Sequence, residues 1–205
     1  MKVGIDFDNT LVSYDDVFLR AAIERELLPQ RFTGDKTAVR DSIRLAAGDA
    51  TWAKLQAEVY GRRMADAMMI EGAADFVRAC RMHGVEVFIV SHKSRTAAAD
   101  PNGADLHVAA LAWMERNGFF RDDELAFARD DVFFEPTREA KCRRIVELGC
   151  SHFVDDLEEV FREPGFPPAV ERFLLHRGQS PLPQGPFKAF ADWDAIKKAV
   201  FARDG

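Results

Sequence analysis

Two carboxylates at the end of an apolar run near the N-terminus are the residues whose chemistry is easiest to interpret. Val3 and Ile5 belong to a short apolar run that is typical of a buried strand in a parallel sheet. The run ends at Asp6 and Asp8, which a strand would place on the same side, and Thr10 follows. Two such charges repel each other unless a cation lies between them or one is protonated. Oxygen ligands of this kind suit Mg²⁺, whereas the alternative interpretation is an ordinary acidic turn.

The elements that would position these carboxylates alternate between helix and strand from residue 72 onward. After the first strand, the pattern predicts strands at 85–90, 132–134, 153–154 and 173–175. This alternation predicts an α/β fold, with a Rossmann-like parallel sheet of about five strands and helices on both faces.

Residues 15–70 differ from the rest of the chain because their apolar spacing is helical throughout and includes no good strand. We therefore interpret this segment as a small helical insertion after the first strand. The predicted division is a catalytic core of residues 1–14 and 71–205, with an insertion of residues 15–70.

Further polar residues follow the other predicted strands. Ser91 comes after the second strand, Asp155 and Asp156 after the fourth, and Lys141 lies near the start of a helix. Ligands of parallel sheets bind outside the carboxyl ends of the strands, where these groups should meet. Structural alternatives are a turn serine, a solvated lysine and a helix N-cap. However, a cation near a helix N-terminus opposes the helix dipole, which favours a functional Lys141.

The segment Asp6-Phe7-Asp8-Asn9-Thr10 resembles the first motif of the haloacid dehalogenase-like (HAD) superfamily of aspartate-nucleophile phosphatases. Ser91 is similar to the second motif, Lys141 to the third, and the pair Asp155-Asp156 to the fourth. The order and spacing agree from residue 2 to about residue 176. The resemblance implies that the insertion is a cap that closes over the site and selects the substrate.

The resemblance also implies a role for each site residue in an aspartyl-phosphate mechanism. Asp6 is the expected nucleophile, and Asp8 the general acid and base. Thr10 and Ser91 offer hydroxyl donors, and Lys141 neutralises the carboxylates and the phosphate.

The expected cofactor is Mg²⁺, with Asp6, Asp8, Asp155 and Asp156 as the metal-site residues. Asp8 is expected to bind through its backbone carbonyl, and Glu159 is an alternative to Asp156 as the second acidic group.

Ser91, His92, Lys93 and Lys141 are the predicted substrate contacts from the core. A surface histidine and a solvated lysine are equally good interpretations of positions 92 and 93. In the superfamily that the chain resembles, an aspartate at the place of Asp8 suits phosphatases and phosphomutases, so the resemblance implies phosphate-ester hydrolysis rather than dehalogenation. A phosphomutase and a non-catalytic phospho-acceptor or binding module stay open as alternatives.

The composition of the chain limits the kinds of partner that the protein is expected to bind. The 205 residues carry a net charge of −6, which disfavours a nucleic-acid surface, and no apolar run is long enough to span a membrane. Asp6 and Asp8 interrupt the N-terminal apolar run, which disfavours a signal peptide.

The three cysteines, Cys80, Cys142 and Cys150, lie far apart and are interpreted as reduced core residues. We expect a cytoplasmic enzyme that acts on a small phosphate ester.

Overall fold

The strands of the protein form a parallel sheet that determines where the predicted site residues meet. The computed structural model describes residues 1–177 and 181–202. The strands in this part of the chain are Lys2–Ile5 (β1), Val12–Ser13 (β2), Met68–Met69 (β3), Glu86–His92 (β4), Val132–Glu135 (β5), His152–Asp155 (β6), Glu171–Leu175 (β7) and Lys188–Phe190 (β8). Within these residues, one sheet has six strands in the order β5-β4-β1-β6-β7-β8, all parallel, and β2 pairs separately with β3.

The α-helices lie between these strands along the chain, except for the last one, which follows β8. Over the same described ranges they are Asp15–Glu24 (α1), Lys36–Ala47 (α2), Asp49–Tyr60 (α3), Ala73–Met82 (α4), Leu106–Arg116 (α5), Arg138–Glu147 (α6), Glu158–Phe161 (α7) and Trp193–Phe201 (α8). The predicted Rossmann-like α/β fold is confirmed. The sheet has one strand more than expected, because β8 is only three residues long and follows a proline-rich loop.

The first strand lies near the middle of the sheet. Val3 and Ile5 are fully buried, and β1 pairs with β4 on one side and with β6 on the other. The carboxyl ends of these three strands therefore lie side by side. This places the residues that follow Ile5 next to Ser91 on β4 and Asp155 on β6.

Gly4 makes close packing possible at the centre of the sheet. A Cβ atom added at Gly4 would lie 2.5 Å from Cδ2 of Phe153 and 3.2 Å from Sγ of Cys150. Phe153 is itself fully buried, so its ring has little room to move. A side chain at position 4 would therefore collide with the core of the sheet.

We expect Gly4→Ala to lower the free energy of unfolding by about 1–3 kcal/mol, because the new methyl group overpacks the core. Urea unfolding followed by circular dichroism measures the change. Gly165→Ala is the matched control, since an added Cβ there would lie 4.0 Å from Cβ of Cys142, an ordinary van der Waals distance. Equal stability of the two variants would contradict the packing role of Gly4.

The chain divides into two units, each with its own internal contacts. The sheet unit consists of Met1–Val12, Met69–Lys93 and Gly118–Gly205, and the helical unit of Ser13–Met68 and Ser94–Asn117. The helical unit thus includes α5, in a segment that the sequence analysis assigned to the core. The role of this unit as a cap over an active site stays a prediction.

The packing of α5 explains why it belongs to the helical unit. Trp113 on α5 is fully buried, and its Nε1 donates a hydrogen bond to the carbonyl of Ala67 at 2.8 Å. The helix also contacts α3 and the 3₁₀ turn Met64–Asp66. An apolar helix face indicates that a helix is buried, but not which neighbour it is buried against.

Two further expectations concern the whole chain. Cys80, Cys142 and Cys150 are all buried and unpaired thiols, as predicted. Among the described residues, no helix combines the length and the apolar character needed to cross a bilayer.

Candidate functional site

The first part of the site is a strand-end loop, residues 6–12, that follows β1. Asp6 keeps the register of the sheet, because its backbone N–H donates to the carbonyl of Val154 at 2.9 Å. The loop then turns back on itself, and the N–H of Leu11 donates to the carbonyl of Phe7 at 3.0 Å. Asn9 has a φ of 60°, a left-handed conformation that asparagine tolerates better than most residues. The turn thus fixes the backbone from which the side chains of Asp6 and the following residues project.

A buried lysine connects two of the strand ends. Nζ of Lys141 donates to Oδ1 of Asp6 and to Oδ2 of Asp155, each at 2.6 Å. All three side chains are at most 7% exposed. Lys141 reaches this position from the beginning of α6, where the side chain of Thr137 caps the helix by accepting from the N–H of Ala140. The two carboxylates stabilise a cation that would otherwise be unfavourable at this end of a helix.

The cluster formed by Lys141, Asp6 and Asp155 carries more acidic than basic groups. Burial raises the pKa of Asp6 to about 7; Lys141 opposes this effect, whereas Asp155 and Asp8 add to it. Burial alone would lower the pKa of Lys141, but the adjacent carboxylates of Asp155 and Asp6 raise it. Lys141 is therefore a stable cation, and one cation does not offset all of the surrounding negative charge.

Three carboxylates are close enough to share a metal ion. Asp6, Asp155 and Asp156 each offer one oxygen, and these oxygens lie within 4.8 Å of one another. Oδ1 of Asp155 accepts a hydrogen bond from the N–H of Leu157 at 3.0 Å, and Oγ1 of Thr10 donates to Oδ1 of Asp156 at 3.4 Å. Carboxylate oxygens are ligands that Mg²⁺ prefers, so the donor set of this carboxylate cluster fits the expected cofactor.

Of the two candidates for the second acidic group, Asp156 is the one in the carboxylate cluster. Glu159 is an exposed residue on α7 and is not part of it. The structure therefore separates two residues that spacing alone left equivalent.

The carboxylate of Asp8 pairs with a lysine that directly follows β4. Its two carboxylate oxygens accept hydrogen bonds from Nζ of Lys93, Oδ2 at 2.7 Å and Oδ1 at 3.0 Å. Lys93 is only 5% exposed, and its backbone N–H donates to the carbonyl of Glu135, which fixes the chain after β4. The carboxylate of Asp8 lies outside the carboxylate cluster, and binding of metal through its backbone carbonyl stays a prediction.

The remaining predicted contacts divide into buried and exposed residues. Ser91 is 1% exposed and lies on β4, one residue beyond the position level with Asp6. His92 is exposed, and its Nε2 lies 3.2 Å from the carbonyl oxygen of Pro136, in the loop after β5. Alternation along β4 explains this difference, because neighbouring side chains point to opposite faces. His92 is not brought to the carboxylate cluster.

The pairing of Lys93 with Asp8 was missed by sequence reasoning. The available signal was its spacing, since residues 91 and 93 of an extended segment share a face. That signal indicates that Lys93 faces the same way as Ser91, but it does not identify a partner 85 positions away in the sequence.

Solved structures with a similar architecture cover almost the entire chain. A HAD-family hydrolase from Deinococcus radiodurans R1, with bound phosphate and sodium, has a TM-score of 0.57 at 17% identity and covers 97% of this chain and 94% of its own. A haloacid dehalogenase-like family hydrolase from Xanthomonas campestris has a TM-score of 0.55 at 13% identity, with coverages of 98% and 95%. The chain has the fold of the HAD hydrolases.

The HAD hydrolase YfnB from Bacillus subtilis, whose structure contains magnesium, is similar at a TM-score of 0.54 and 12% identity, with both chains 98% covered. No protein-family model matches the chain, and no curated protein matches its sequence. The HAD-like fold agrees with the resemblance carried by the four sequence motifs. In this fold, Asp6, Ser91 and Asp155 lie at neighbouring strand ends, where the motifs predict them.

Proposed function

We propose that this protein is a Mg²⁺-dependent phosphatase that hydrolyses a small phosphorylated metabolite through an aspartyl-phosphate. The observation that carries the proposal is the position of the Lys141 ammonium between the carboxylates of Asp6 and Asp155, with Asp156 in the same cluster. This arrangement combines a carboxylate nucleophile, a buried cation and oxygen ligands for a metal. The phosphate bound to the D. radiodurans hydrolase of the same fold supports this choice of substrate chemistry.

In the first step, an oxygen of Asp6 attacks phosphorus while the bond between phosphorus and the ester oxygen breaks. Asp8 transfers a proton to the departing alcohol oxygen. Lys141 holds the Asp6 carboxylate in position and, with the hydroxyl of Ser91, disperses charge on the phosphoryl oxygens. The products of this step are a free alcohol and an acyl phosphate on Asp6.

In the second step, water attacks the phosphorus of the acyl phosphate. Asp8, now ionised, accepts a proton from this water, and the bond between phosphorus and Asp6 breaks. Inorganic phosphate leaves, and the carboxylate of Asp6 is restored. The same residue thus acts first as an acid and then as a base.

Asp6, Asp155 and Asp156 would hold the Mg²⁺ ion, together with the backbone carbonyl of Asp8 that the resemblance implies. When bound, Mg²⁺ neutralises negative charge on the phosphoryl group. Thr10 supports this set, because its hydroxyl donates to Asp156.

The proposed substrate is a small phosphate ester, and neither a nucleic acid nor a membrane is expected as a partner. Ser91 and Lys141 are the proposed contacts to the phosphoryl group. A cytoplasmic location stays a prediction from the composition.

Lys93 provides a test that separates positioning from substrate binding. We expect Lys93→Met to lower kcat by about 100-fold with KM changed less than twofold, because the Asp8 carboxylate loses the ammonium that orients it. Steady-state kinetics at saturating Mg²⁺ measures both constants. Lys188→Met, which removes an exposed ion pair with Glu171, is the control. A raised KM with an unchanged kcat would favour the substrate contact predicted from the sequence.

A screen of phosphorylated metabolites tests the proposed function. Purified protein should release inorganic phosphate from p-nitrophenyl phosphate and from one or more sugar phosphates or nucleotides with Mg²⁺, and release none with EDTA. A need for a bisphosphate activator with little phosphate release would identify a phosphomutase instead. Stoichiometric phosphorylation without turnover would favour the phospho-acceptor module.

A further inference from the structure

The last helix of the sheet unit contacts the strand-end loop through one buried hydrogen bond. Trp193 is the first residue of α8 and is 1% exposed. Its indole Nε1 donates to the backbone carbonyl of Thr10 at 3.0 Å, across 183 positions of sequence. Neither the motifs nor the proposed mechanism assigns a role to this tryptophan.

We infer that Trp193 is a positioning residue that holds the strand-end loop in the conformation needed for turnover. Its effect on turnover rests on the proposed phosphatase function, whereas its effect on the loop does not. The inference is carried by the position of Thr10, which connects the indole to the carboxylate cluster. The carbonyl of Thr10 accepts from Trp193, and its hydroxyl donates to Asp156.

The loop needs such a restraint because its backbone is unusual. Asn9, directly before Thr10, has a φ of 60°. A residue other than glycine keeps this left-handed conformation where contacts with its surroundings enforce it. Thr10 is fully buried, so removing the indole would take a hydrogen bond away from a buried carbonyl. The hydrogen bond from Trp193 therefore favours the one loop conformation that also presents Asp8.

The helix that carries Trp193 is itself well anchored. Asp192 caps α8 by accepting from the N–H of Ala195 at 2.7 Å. The indole packs against the ring of Phe76 on α4, with ring centroids 4.9 Å apart. Gly72 leaves space for the tryptophan, since a Cβ atom added there would lie 2.9 Å from Cβ of Trp193. A fixed indole can therefore act as a fixed donor to the loop.

A second tryptophan provides a matched control. Trp113 in the helical unit is also fully buried and donates its indole N–H to a backbone carbonyl, that of Ala67, at 2.8 Å. Trp193→Phe and Trp113→Phe thus each remove one buried indole donor. Only the first removes a donor to the strand-end loop.

Hydrogen–deuterium exchange by mass spectrometry tests the effect on the loop. In Trp193→Phe, peptides covering residues 7–12 should exchange about two- to tenfold faster than in the wild type. In Trp113→Phe, the same peptides should exchange at the wild-type rate. Equal exchange of these peptides in all three proteins, or equal acceleration in both variants, would overturn the inference. If Trp193→Phe does not fold, Trp193→Tyr fills more of the space and still lacks the indole N–H.

Kinetics then tests the effect on turnover. For p-nitrophenyl phosphate with Mg²⁺, Trp193→Phe should lower kcat about tenfold or more, with KM within twofold of the wild type, and Trp113→Phe should change neither. A kcat unchanged in Trp193→Phe would overturn the positioning role. An inactive wild-type protein would instead contradict the proposed function, and the exchange experiment would still decide whether Trp193 holds the loop.

Discussion

Asp6→Asn is expected to lower Mg²⁺-dependent phosphate release at least about 1,000-fold, because the amide cannot act as the nucleophile. The fold should tolerate the change, since asparagine has the same shape and burial already raises the pKa of the Asp6 carboxyl to about 7. Lys141 keeps its hydrogen bond to Asp155 in this variant. The loss should therefore appear in kcat while the urea midpoint changes little.

An acid-quench experiment makes this test independent of the rate. Wild-type protein should form a hydroxylamine-sensitive phosphoprotein with a labelled substrate, and Asp6→Asn should form none. Asp75→Asn is the matched control, because Asp75 is exposed and forms a surface ion pair with Arg78. Substantial turnover by Asp6→Asn would reject Asp6 as the nucleophile.

Lys141→Met is expected to remove both activity and stability. The substitution leaves the carboxylates of Asp6 and Asp155 buried without their shared cation, and breaking a buried ion pair on one side typically lowers the free energy of unfolding by about 3–5 kcal/mol. Urea unfolding in EDTA measures this loss. Phosphate release with Mg²⁺ should also fall at least about 100-fold, because charge on the phosphoryl group is no longer dispersed.

Two controls separate this effect from a general loss of charge. Lys188→Met removes an exposed lysine that pairs with Glu171 at 2.6 Å, so the comparison isolates the effect of burial. The double variant Lys141→Met with Asp155→Asn should recover part of the lost stability, since one buried charge is then neutral. A stability of Lys141→Met equal to that of Lys188→Met would contradict a buried ion-pair role for Lys141.

The sequence predicted those site residues that lie at the carboxyl ends of buried strands. Asp6, Ser91 and Asp155 lie at the carboxyl ends of neighbouring parallel strands, and such ends meet whatever the exact register. Lys141 was indicated by its unfavourable position near a helix start. The contact of Lys93 with Asp8 was not predictable in this way, because it depends on the direction of side chains after a tight turn.

The same distinction applies to the fold. Strong periodicity predicted the helical character of residues 15–70 and the longer strands of the sheet. The missed strands β2, β3 and β8 have two or three residues each, too few for a period to be recognised. The membership of α5 in the helical unit depends on the partner of Trp113, and composition along one helix does not identify that partner.

The two-segment construction of the helical unit has a consequence for synthesis on the ribosome. The helices α1 to α3 leave the exit tunnel before α5, because Trp113, which donates to the carbonyl of Ala67, is translated only after β4. While β4 is being translated, the helices α1 to α3 therefore lack the contact between α3 and α5, and part of their apolar surface is uncovered. Each unit therefore needs segments from both sides of residue 70. A chain that ended at residue 70 would contain neither unit complete.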